Sequence, residues 1–292
     1  MKFRSLWKAA AAGLLFAFST FAQAQLYGGN SQSNNATALP ASAGLFQLDP
    51  RTGAIQIGTV VTVPARTITG ITALTRDPTT GTIYAVAKAA AVANRLLITL
   101  NLATGAGAEI GNLGDDFSSL AFRPDGQLFG MTGQGAGVPK RLWTINKATA
   151  ATVQVQDLSA LGADGSIIAY NPNGRFYFWS GNGAEIFASV QASAPFTITP
   201  IPITGPSNNE VFGAVWDPTQ SVFLVHSINA QMDSWTTGGV RSNLQPATLT
   251  SVRGMVLFPP GSIPTLSQWA LVLLILLVFG AAFTNRRAFA PY

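Results

Sequence analysis

Turn prolines at Pro78, Pro124, Pro172, Pro218 and Pro259 recur after 46, 48, 46 and 41 residues, and such a period limits the fold more than any other feature of this chain. Each proline ends a phrase of the type Leu74-Thr75-Arg76-Asp77-Pro78 or Ala169-Tyr170-Asn171-Pro172-Asn173-Gly174. A strand-like phrase follows the first four turns, as in Thr82-Ile83-Tyr84-Ala85-Val86 and Arg175-Phe176-Tyr177-Phe178-Trp179. Another repeated phrase runs from an apolar pair into a small-residue turn: Leu45-Phe46-Gln47-Leu48-Asp49-Pro50-Arg51-Thr52-Gly53, Leu96 to Gly105 and Leu142 to Thr149, with weaker copies at Ile186-Phe187 and near Met232. Proline presets φ at a turn, glycine accepts positive φ, and alternation sends successive side chains to opposite faces, so these phrases predict hairpins. Four strands in a period of about 46 residues is the arithmetic of a β-propeller blade. The expectation is an all-β head of five four-stranded blades. A β-sandwich or solenoid with coincidental spacing is the competing architecture, and the polar stretch from Asn30 to Pro40 has room for a further strand.

The fifth copy stops at Pro259-Pro260-Gly261, before its strand-like phrase. The missing phrase stands near the other end of the chain, where Gln25-Leu26-Tyr27-Gly28 matches Gln127-Leu128-Phe129-Gly130. The N-terminal strand is therefore expected to complete the last blade and leave neither terminal edge unpaired.

Both ends read as membrane signals. Lys2, Arg4 and Lys8 precede an apolar stretch from Ala9 to Phe21 that closes on Ala22-Gln23-Ala24, the small-x-small pattern a signal peptidase accepts. Residues 1–24 are expected to be a signal peptide cleaved after Ala24, a short anchor helix being the alternative. At the far end, Ile263-Pro264-Thr265-Leu266-Ser267-Gln268-Trp269 leads into an apolar run from Ala270 to Phe283 and then Arg286-Arg287. At about 1.5 Å per residue a helix from Trp269 to Thr284 falls short of the roughly 30 Å hydrocarbon core, and snorkelling arginines with an interfacial Trp269 extend its reach. Basic residues held inside place the head outside and the last residues in.

This tail, residues 263–292, resembles the IPTL-CTERM sorting signals of Gram-negative bacteria, with the tetrapeptide Ile263-Pro264-Thr265-Leu266 matched letter for letter and Gln268 standing where an acidic residue is expected. The resemblance covers residues 263–287 and nothing of the head. It implies a transmembrane helix and a signal read by a membrane-embedded sorting or processing enzyme, a transpeptidase or protease, that releases or re-attaches the head. Ile263, Pro264, Thr265, Leu266, Ser267 and Trp269 would form the recognised motif and Arg286 and Arg287 the basic membrane stop. Pro264, which lacks an amide hydrogen, keeps the motif extended ahead of the helix. A plain single-span anchor is the other reading. The localisation expected is export, with the head periplasmic and anchored in the inner membrane, then at the cell surface or outside the cell.

The head, residues 25–262, offers little chemistry. Of 17 basic residues five lie at the ends just described, and the remaining 12 equal the 12 acidic ones, all within the head, so no nucleic-acid partner is expected. There is no cysteine, which excludes thiolate catalysis and disulfide staples. His226 is the only histidine, so a histidine-rich metal site is excluded, and no Gly-x-Ser-x-Gly elbow surrounds a serine. Asp115-Asp116 reads as a solvated turn before it reads as a calcium loop. Gly133-Gln134-Gly135-Ala136-Gly137 is followed by Val138-Pro139-Lys140 and a strand where a phosphate cradle needs a helix. No cofactor, metal or catalytic residue is assigned. Trp179 and Trp216 are candidate stacking platforms for a sugar if they line the central channel, core packing being the alternative. The expected function is a non-enzymatic binding or matrix module with extracellular polysaccharide as its partner; the alternative is a secreted propeller lyase or glycosidase acting on such a polymer.

Overall fold

A computed structural model describes residues 24–30, 44–162, 167–180, 185–205, 210–227, 231–246 and 252–259. In chain order the strands are β1 (Gln25–Asn30), β2 (Gly44–Leu48), β3 (Ile55–Val60), β4 (Ile68–Arg76), β5 (Ile83–Ala89), β6 (Leu96–Leu100), β7 (Gly107–Asn112), β8 (Phe117–Phe122), β9 (Leu128–Thr132), β10 (Arg141–Ile145), β11 (Thr152–Asp157), β12 (Ile167–Asn171), β13 (Arg175–Ser180), β14 (Ile186–Gln191), β15 (Ile198–Pro200), β16 (Val211–Asp217), β17 (Val222–Ser227), β18 (Gln231–Trp235), β19 (Arg241–Pro246) and β20 (Val252–Phe258). They form five four-stranded sheets: β4 to β7, β8 to β11, β12 to β15, β16 to β19, and a fifth in the order β20-β1-β2-β3. The head is a five-bladed β-propeller, and one blade is assembled from the two ends of the strand series.

One turn device, used at the first and last hairpins of a blade, explains the repeat. Asp77, Asn171 and Asp217 end the inner strands, and each side-chain Oδ1 accepts the backbone amide two residues on, at 2.8 Å from Thr79, 2.9 Å from Asn173 and 2.8 Å from Thr219. Asp49, Asn101 and Asn146 do the same at the outer hairpins, accepting from Arg51, Ala103 and Ala148. Gly81 and Gly53 close the loops with φ of 77° and 69°, each donating its amide to the carbonyl of the Asp four residues back.

Side chains between blades build the core. Tyr84 and Leu97 of one blade pack with Phe117, Phe122 and Leu128 of the next, and Phe129 and Met131 with Phe176 and Phe178. Around the axis the inner strands touch in sequence. Thr72 Oγ1 donates to the Phe117 carbonyl at 3.0 Å, and Ser119 Oγ both donates to the Ile168 carbonyl and accepts the Ile168 amide at 3.1 Å. The seam is equally tight. A Cβ on Gly28 would run into Val252 Cγ1, one on Gly29 into Ile71 Cγ2, and one on Gly254 into the backbone of Ala73 and Leu74. Glycine is required where strands from opposite ends of the chain meet.

Gln25–Leu257 forms one compact unit. The other, Met1–Ala24 with Phe258–Tyr292, lies almost entirely outside the described residues, and with it Ala22, the tail motif, the expected transmembrane helix, Arg286 and Arg287. Ala24 is described, directly ahead of β1. Among the described residues no helix is long and apolar enough to cross a membrane.

Candidate functional site

The inner strands β4, β8, β12, β16 and β20 surround an axial channel, with a cavity at each end. Where these strands run out into their turns the cavity measures about 330 Å³ and is mostly apolar, with Leu74, Leu120, Ile168, Trp216, Met255 and Leu257 among its walls. All five blades contribute to it. Trp216 reaches it because it is the penultimate residue of β16, immediately before the Asp217 turn. Its ring meets Phe223 edge-on, with centroids 4.9 Å apart. Tyr170 shares the wall, and burial raises its hydroxyl pKa.

Trp179 takes a different place. It is only 1% exposed, in the core between two blades, where it crosses Phe223 at 5.0 Å and Trp235 at 6.3 Å. Phe223 thus separates the two tryptophans proposed as stacking platforms: Trp216 faces the channel, and Trp179 has no open ring face. Alternation in Phe176 to Trp179 is saturated, so the sequence could not say which face was inward.

The opposite end, where the inner strands begin, holds a polar cavity of about 210 Å³. Its walls include Lys88 from the end of β5, Arg95 ahead of β6, Asp116 ahead of β8, Glu210 ahead of β16, and Arg253 in β20. Arg95 grips Asp116 with Nε on Oδ1 at 2.9 Å and Nη2 on Oδ2 at 3.3 Å. The Arg253 guanidinium lies 3.9 Å over the Phe212 ring. Burial, and then the neighbouring charges of Arg95 and Arg253, lower the Lys88 pKa, with Asp116 acting in the other direction. Burial lowers that of Arg253 as well, against the pull of Glu210.

The other sequence candidates are engaged within the fold. Asp115 accepts the amides of Gly137 at 2.7 Å and Val138 at 2.9 Å, while those of Gly133 and Ala136 go to backbone carbonyls, so the glycine-rich loop 133–137 spends these amides within the protein. Asp77 and Asp217 cap turns, and Asp77 also holds Lys147 Nζ at 2.5 Å across to the next blade. His226 is fully buried in β17. No cluster of metal-ligating side chains occurs among the described residues.

Solved structures match the chain at low identity and with TM-scores below 0.5. A structural genomics protein of unknown function from Bacteroides thetaiotaomicron is 11% identical, with 76% of this chain and 64% of that one covered and a TM-score of 0.44; this chain thus spans less than two thirds of its length. A protein from Bacteroides uniformis provisionally assigned as a 6-phosphogluconolactonase is 13% identical, covering 75% of this chain and 68% of its own, with a TM-score of 0.42. No curated protein matches the chain. Residues 262–288 match the IPTL-CTERM motif, so this chain carries an IPTL-CTERM sorting tail behind a five-bladed β-propeller head.

Proposed function

We propose that this is an exported envelope protein of a Gram-negative bacterium whose propeller is a non-enzymatic binding or matrix module, sorted and processed through its tail. The observation that carries the reading is the match to a sorting signal beginning at residue 262, four residues after the propeller's last strand ends at Phe258. Cleavage after Ala24 fits the head as well, because β1 begins at Gln25 and would survive intact. The signal peptide delivers the chain to the inner membrane; the C-terminal helix, with Arg286 and Arg287 on the cytoplasmic side, holds it there until a membrane-embedded enzyme reads Ile263 to Trp269. The head then stands in the periplasm or passes to the surface.

For the head, a wide apolar mouth with Trp216, Tyr170 and Phe122 on its wall suits stacking against a sugar better than it suits bond cleavage, and extracellular polysaccharide is the proposed partner. Trp216 is the stacking residue, supported from behind by Phe223 and, beyond it, Trp179.

Two measurements test this. Intact mass of the protein from its own cells is expected to begin at Gln25 and end near the Ile263 motif; a species carrying the full sequence to Tyr292 as its only mature form refutes processing. On a glycan array, the full chain in detergent is expected to retain a polysaccharide fragment and to lose it on Trp216→Ala. Turnover of such a polymer, abolished by His226→Ala, would replace binding by enzymology.

A further inference from the structure

The polar mouth contains more hydrogen-bond donors than the protein uses. Among the described residues Lys88 makes no hydrogen bond or ion pair, Arg95 Nη1 has no acceptor although Nε and Nη2 are engaged, and Arg253 Nε has none either. A buried donor left without an acceptor costs about 1–3 kcal/mol, more when charged, so the two buried guanidinium donors of Arg95 and Arg253, with the half-buried Lys88 ammonium beside them, form an arrangement that a ligand would relieve. Three cations, Lys88, Arg95 and Arg253, line that recess against two carboxylates, Asp116 and Glu210, and Asp116 is already committed to Arg95. Mutual repulsion among the cations makes an added negative charge more favourable there than on an open surface.

We infer that the end of the channel bounded by Lys88, Arg95 and Arg253 binds a singly charged oxyanion carried on a saccharide, the carboxylate of a uronate or a sulfate ester. One excess positive charge among the described residues matches one negative charge, whereas a phosphate monoester near −2 would leave charge uncompensated in a half-closed recess. About 210 Å³ admits a group on the scale of one sugar ring, and Ile167, Val211 and Phe212 are among the apolar residues of its lining. The donors come from three places in the fold, the end of β5, the approach to β6, and the inner strand β20, so the site exists only once the ring is closed. This deepens the binding reading above and rests on it for the saccharide, while the charge preference rests on the cavity alone.

The test is titration calorimetry on the full chain in detergent, with trigalacturonate, a sulfated trisaccharide and neutral maltotriose as probes. Trigalacturonate or the sulfated trimer is expected to bind and maltotriose to bind at least tenfold more weakly; which acidic trimer binds tighter separates the two sources of charge. Lys88→Gln is expected to weaken the acidic trimer at least tenfold without lowering the melting temperature, and Lys88→Arg to keep affinity within about threefold. Acidic and neutral trimers binding alike, acidic binding untouched by Lys88→Gln, no acidic binding at all, or binding of calcium ions instead would each overturn the anion site. Retention of neutral glycans on the array would leave the broader binding reading standing in all four cases.

Discussion

Gly29 and Ile71 offer a direct test of how the ring is sealed. Gly29 belongs to β1 and Ile71 to β4, an inner strand of the neighbouring blade, and a Cβ at Gly29 would be forced against Ile71 Cγ2 and, at 2.7 Å, Ile71 Cβ. Ile71 is fully buried. Gly29→Ala overpacks a filled space and is expected to cost about 1–3 kcal/mol. Ile71→Ala removes buried methyl groups and leaves a cavity, for about 2–5 kcal/mol. In the double variant the close contact with Ile71 Cγ2 is gone while that with the retained Cβ remains, so the two costs should not fully add, and a coupling of about 1 kcal/mol is expected. For a domain of this size each kcal/mol moves the melting temperature by about 2–4 °C. The double variant should therefore melt at least a few degrees above the value that additivity of the singles would give. Guanidinium and thermal unfolding of the full chain in detergent, followed by near-ultraviolet circular dichroism, supply the four stabilities. Strict additivity would mean that β1 does not lie against β4, and the closure would fall.

Two further outcomes can be checked by the same unfolding measurements. Burial pushes the Asp77 pKa up, but the Lys147 ammonium and the hydroxyl and amide of Thr79 outweigh it and hold the carboxyl well below the usual range. Its folded pKa is thus depressed, so its contribution is present above the unfolded value near 3.9 and is lost as pH falls below it. Stability should drop from pH 5 to pH 3, and Asp77→Asn should flatten that slope; an unchanged slope would remove Asp77 as its source. Ser119→Ala orphans both the amide and the carbonyl of Ile168 between two blades and should cost about 1–3 kcal/mol, whereas Val153→Ala on exposed β11 should stay within about 0.5 kcal/mol. Equal costs at the two positions would contradict the axial hydrogen bond.

Much of the blade was legible because it is locally encoded. Asp77-Pro78 and Asn171-Pro172 show their turn chemistry in neighbouring letters, and the matching start and end of the chain announced the seam. The outermost strands were harder to read. β3, β7 and β11 present mostly exposed or half-buried residues with no dominant apolar alternation, so they entered only through the length of the repeat. The polar mouth was missed because Lys88, Asp116, Glu210 and Arg253 are 28 or more residues apart in sequence, and only the ring brings them together. A trace of it was there: an acidic residue stands eight residues before the turn proline at both Asp116 and Glu210. Trp179 and Trp216 were indistinguishable as letters, and their burial separates them.

Blade β20-β1-β2-β3 makes the first strand of the propeller wait for its last. β1 can pair with β2 within a few tens of residues, but its other edge stays bare until Val252 to Phe258 has emerged, more than two hundred residues later. Such long-range pairing is slow, and it leaves an open strand edge for the whole interval. A chain halted anywhere before Phe258 would present that edge to proteases and to other chains, so truncation products should be cleared or should aggregate, and only a fully elongated polypeptide gains the protection of the finished ring.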